Sequence, residues 1–129
     1  MPDFEQAREA LTKLADSLPT ALYRGLNGGV MLMPEVRFHP ESRAGAPLYI
    51  MGQYNVEPAG FGRFITIYYG SFAAVHGHLE EAAFIRELDL VLRHELTHHL
   101  ESLAGDATLE YIDEDELDEY HRRYRHSPK

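Results

Sequence analysis

The stretch Ile85-Arg86-Glu87-Leu88-Asp89-Leu90-Val91-Leu92-Arg93-His94-Glu95-Leu96-Thr97-His98-His99-Leu100-Glu101-Ser102-Leu103-Ala104-Gly105 decides how this chain is read. At about 100° per residue, Ile85, Leu88, Leu92, Leu96 and Leu103 gather on one broad face, the signature of an amphipathic helix over Leu79 to Ala104. Gly105 stands where a left-handed terminator is expected. On a neighbouring stripe His94, His98 and Glu101 fall within roughly 60° of one another, segregated from the apolar face.

Working outward, the residues before this helix alternate strand-like runs with Gly and Pro punctuation, which predicts strands over Val30 to Phe38, Leu48 to Tyr54 and Arg63 to Phe72. The third, through Phe64-Ile65-Thr66-Ile67-Tyr68-Tyr69-Gly70, is apolar or aromatic on both sides and reads as a covered strand. Burial alone accounts for its tyrosines. At the N-terminus Phe4, Ala7, Leu11, Leu14 and Leu18 step by three and four, with Asp3 and Gln6 set as a capping box, so residues 4 to 18 form a helix that Pro19 stops. Beyond Gly105, a helix is expected from about Ile112 to Arg125, capped by Asp113 and Glu116. Its acids come first and Arg122, Arg123 and Arg125 last, which complements the helix dipole.

Composition bounds the function. A chain of 129 residues suits one domain, residues 1 to 129. With 21 acids against 12 Lys and Arg, the net charge of -9 repels a phosphate backbone, which argues against nucleic acid as a partner. There are no cysteines, so a transition metal must be held by His and carboxylates. Neither a basic flank with an apolar run at the N-terminus nor a membrane-length apolar stretch occurs, so a cytoplasmic location away from membranes is expected.

The pattern His94-Glu95-Leu96-Thr97-His98 is H-E-x-x-H on a helix. Two histidines four apart project from one side about 6 Å apart along the axis, so a single ion can sit between their imidazoles. Zn2+ suits such nitrogen ligands, and three protein ligands leave a fourth position for water. Glu95, turned about 100° from His94, is the candidate general base for that water. His99 falls about 140° from His94, among Leu88, Leu92 and Leu103, and reads as a core histidine rather than a ligand. His76 and His78 precede the helix and suit either a loop role or the cleft.

Arg63 to Phe72, then Gly77-His78-Leu79, then His94 to Asp106 together resemble the small bacterial minimal zincins, a family assigned to the HExxH zinc metallopeptidases; the likeness spans roughly residues 30 to 115. The resemblance implies an α+β fold, with a short mixed sheet packed on the long motif helix between N- and C-terminal helices. It also implies metal-dependent hydrolysis of peptide bonds in a peptide or protein substrate. Family members often read H-E-x-x-H-x-x-G-x-x-D, the aspartate being the third ligand. Here Glu101 stands at the glycine position, and Gly105-Asp106 arrive later. Either Asp106 turns back to the metal, or Glu101 binds from the next turn. Glu101 lies about 7.5 Å along the axis beyond the midpoint of the histidines, which favours Asp106.

An oxyanion helper would come from Tyr68, Tyr69, His76 or His78, and the third strand could pair with an extended substrate if one of its edges is free. Two other readings stay open: a metal-dependent ribonuclease, which wants a third histidine and a basic surface, and a non-catalytic metal-binding interaction module.

Overall fold

The computed structural model describes residues 1–105, which form an α+β fold of three α-helices and one three-stranded mixed sheet. Helix α1, Phe4–Ser17, starts at the capping box expected from its sequence: the Asp3 carboxylate accepts from the Gln6 amide, and the Gln6 side chain accepts from the Asp3 amide. Ala7 and Leu11 are its buried residues, and a short 3-10 turn at Thr20–Tyr23 follows Pro19.

The strands are β1, Gly29–Met33; β2, Gly52–Glu57; and β3, Gly62–Tyr68, in the order β1-β3-β2. The double-sided apolar character of β3 has its reason here. It is the central strand, parallel to β1 and antiparallel to β2. Ile65 and Ile67 enter the core with Ala7 and Leu11 of α1, while Phe64, Thr66 and Tyr68 are buried on the opposite face.

Three boundaries differ from the sequence reading. The first strand ends at Met33, because Pro34 has no amide to extend the ladder; Phe38 bridges Tyr49 instead. Residues 48 to 51 precede β2 and pair with that crossing chain, as the Ile50 amide bonding the Arg37 carbonyl shows. The third strand, expected to reach Phe72, turns at Tyr69 into helix α2, Tyr69–His76. Residues 35 to 37 run alongside this turn and bond to it. The Gly70 amide bonds the Glu35 carbonyl, and the Ser71 hydroxyl both accepts from the Arg37 amide and donates to its carbonyl. A Cβ on Gly70 would stand 2.6 Å from Val36 N.

Helix α3, Glu81–Ala104, crosses under the sheet and packs chiefly on β2 and α1. Its buried stripe is Phe84, Leu88, Leu92, Glu95, Leu96, His98, His99 and Ser102. Leu88, Leu92, Leu96 and His99 are buried as the sequence implied, but Leu103 is exposed and Ile85 half-buried, while Glu95 and Ser102 turn inward. Gly105 is extended, with φ 174°, and not the left-handed terminator expected. The expected helix from Ile112 to Arg125 lies outside the described residues. No helix among the described residues is long and apolar enough to cross a membrane.

Candidate metal centre

The inward turn of α3 is possible because its polar groups meet partners. His99, fully buried, has Nε2 2.7 Å from the Arg24 carbonyl and Nδ1 2.8 Å from the Tyr54 hydroxyl. A carbonyl only accepts, so Nε2 donates to Arg24, and Nδ1 shares its bond with the Tyr54 hydroxyl. Arg63, reaching down from β3, donates to the Tyr54 hydroxyl at 3.1 Å and to the Ser102 hydroxyl. This network ties α3 to both β2 and the loop after the 3-10 turn, and it gives His99 the core role its position on the helix implied.

One turn back, His94, Glu95 and His98 each offer a ligand atom, and these atoms all lie within 4.8 Å of one another. The two imidazole rings stand 4.7 Å apart, and the Glu95 Oε1 is 3.4 Å from His98 Nδ1. His94 is exposed, whereas Glu95 and His98 are only 2% and 4% exposed, so the cluster opens to solvent on the His94 side. A buried carboxylate is costly unless positive charge stands beside it, which a divalent cation or a protonated imidazole supplies. Two imidazole nitrogens with a carboxylate beside them and no thiolate fit zinc.

Gly52, unremarked in the sequence reading, completes the wall. A Cβ there would stand 3.3 Å from Glu95 Oε2 and 2.7 Å from Val91 Cγ1, so the start of β2 lies directly on the Glu95 side chain. A glycine inside a strand run was the signal of such a close approach. The Tyr68 amide bonds the Met51 carbonyl, so by alternation Gln53, Asn55 and Glu57 face β3, while Gly52, Tyr54 and Val56 turn their amides and carbonyls to the outer edge. Among the described residues no strand pairs there.

Of the helpers named from sequence, Tyr68, Tyr69 and His76 have partners outside the cluster. Tyr68 lies on the sheet face away from α3 and donates to Gln53 Oε1 at 2.9 Å, with the Arg37 guanidinium over its ring. The Tyr69 hydroxyl donates to the Pro2 carbonyl, and burial with nearby Asp3 holds it above the usual tyrosine range. His76 packs on Phe72; burial lowers its pKa, Glu87 raises it and His78 lowers it again. Glu101 is half-buried and not part of the ligand cluster, and Asp106 lies outside the described residues.

The chain is similar to the solved structure of a conserved hypothetical protein from T. thermophilus, with a TM-score of 0.67 and 34% identity over 81% of this chain and 99% of that one. This chain belongs to the family of that protein. No family model and no curated protein matches it.

Proposed function

We propose that the chain is a zinc metallopeptidase of the minimal-zincin type, hydrolysing peptide bonds in a peptide or protein substrate. The observation that carries this reading is the convergence of His94, Glu95 and His98 within 4.8 Å, with Glu95 buried under Gly52. His94 and His98 would hold the ion, with Asp106, which comes two positions later than the aspartate of the family pattern, favoured over Glu101 as the third ligand. Bound zinc supplies Lewis acidity, polarising a carbonyl and acidifying water.

The work of the chain itself is proton transfer and positioning. The Glu95 carboxylate, dry and walled in, takes a proton from the attacking water and passes it to the leaving amine. An extended substrate adds to the outer edge of β2, where the backbone groups of Gly52, Tyr54 and Val56 point outward and Gly52 brings the substrate chain alongside Glu95. This replaces the third strand as the pairing edge, since β3 has a neighbour on each side.

Glu95→Gln tests the reading. It keeps the shape and removes the base, so zinc binding and thermal stability should persist while cleavage of an unstructured peptide library falls by about 100-fold or more. Equal cleavage by wild type and variant would refute the role of Glu95. Wild-type protein that binds no zinc at micromolar concentration would refute the site itself.

A further inference from the structure

At the other end of the sheet, β1 is an edge strand of a different character. Its sequence, Gly29-Val30-Met31-Leu32-Met33, carries no charge, and among the described residues only β3 pairs with it. Natural edge strands are blunted by lysine, proline, a bulge or a covering segment. The five residues of β1 carry no lysine, proline or bulge, and among the described residues no further strand covers their outer edge. Every one is half-buried rather than exposed, and beside the strand runs a groove of about 660 Å³ lined by Leu11, Thr12 and Ala15 of α1 and by Tyr23 and Leu26. An apolar, unprotected edge with a groove beside it is built to be covered.

The rim of the groove says by what. Arg8, Thr12 and Asp16 stand at i, i+4 and i+8 on α1, all exposed, and Arg8 and Asp16 line the groove. Their charges are opposite and equidistant from Thr12. Two copies that pair Gly29 to Met33 antiparallel about Met31 are related by a two-fold axis, and where that axis also relates the two α1 helices about Thr12, Arg8 of each copy meets Asp16 of the other. Arg8 presently bonds Glu5 at 2.5 Å, but both side chains are exposed, and such a pair exchanges partners at little cost.

We propose that β1 and the outer stripe of α1 form a homodimer interface, in which two copies join their sheets into six strands in the order β2-β3-β1-β1-β3-β2. The self-complementary charge pattern selects a second copy over an unrelated strand. Because β2 lies at the opposite edge, both candidate metal centres stay open at the two ends of the joined sheet. The interface is independent of any catalytic role.

Sedimentation of the full chain from about 1 to 200 µM at roughly 0.15 M salt, where the charge of -9 is screened beyond about 8 Å, reads the association directly. Wild type should be a dimer in the upper part of this range. Arg8→Asp and Asp16→Arg should each raise the dissociation constant about tenfold by setting like charges opposite, and the double exchange should restore it to within about threefold. Met31→Lys, which sets two ammonium groups against each other, should give monomer with an unchanged far-ultraviolet circular dichroism spectrum. A wild type monomeric at 200 µM would overturn the proposal, as would single exchanges that associate like wild type, or a monomer whose β1 edge instead takes up an extended peptide.

Discussion

Gly52 lies against Glu95 so closely that a single added methyl would stand 3.3 Å from both its Cγ and its Oε2, and closer still to Val91. The backbone at Gly52 is not left-handed; the glycine is required by space rather than by conformation. Strand β2 and the Glu95 carboxylate therefore cannot move independently.

Gly52→Ala should consequently act on both fold and site. Pushing a methyl into Val91 and Glu95 overpacks the contact, and a loss of about 1 to 3 kcal/mol in denaturant unfolding is expected. Peptide hydrolysis should fall together with the displaced carboxylate. A variant as stable and as active as wild type would show that β2 and α3 separate easily here.

The third metal ligand is open to a titration. Asp106→Ala should weaken zinc binding by about tenfold or more, and Glu101→Ala by less, because Glu101 stands outside the cluster of ligand atoms. The reverse ranking in a competition assay with a chromogenic chelator would assign Glu101.

His99 and Tyr54 should matter to stability and not to metal stoichiometry. His99→Leu leaves the Arg24 carbonyl and the Tyr54 hydroxyl without their shared partner, at a cost of about 2 to 4 kcal/mol. Tyr54→Phe removes the bonds to His99 and from Arg63 and should cost about 1 to 3 kcal/mol. Both variants should still take up one zinc per chain by mass spectrometry under native conditions. Loss of zinc from a folded His99→Leu would make His99 a ligand.

His76 contributes a pH dependence whose direction follows from its burial. The folded protein holds this imidazole below its ordinary value, so at mildly acidic pH the unfolded chain binds the extra proton more readily. Stability from this group is complete above about pH 6.5 and is lost as pH falls from there toward the lowered folded value. His76→Gln should lose less melting temperature than wild type between pH 7.5 and 5.5. Glu87, which favours the charged ring, and His78, which opposes it, set how steep the difference is. Identical losses would place the acid sensitivity elsewhere.

Much of the fold was legible along the chain, because it rests on local periodicity. The three-and-four spacing of α1 with its Asp3 and Gln6 cap, the long helix through His94 and His98, and the apolar run of β3 each follow from residues within a few positions of one another. The spacing His94, Glu95, His98 by itself determined that two imidazoles share one side of a helix with a carboxylate beside them. Leu88, Leu92, Leu96 and His99 were legible as the buried side of α3, and only the tertiary structure decided how far that side extends. Hydrophobicity pointed to Leu103, but Arg63 offers Ser102 a hydrogen-bond partner, and Ser102 and Glu95 are buried while Leu103 is exposed. The turn from β3 into α2 at Tyr69 was decided the same way, where Glu35 and Arg37 bond Gly70 and Ser71. So was the contact of Gly52 with Glu95. Each of these depends on groups remote in sequence competing for one space or one hydrogen bond, and a competition of that kind is settled only when the elements pack.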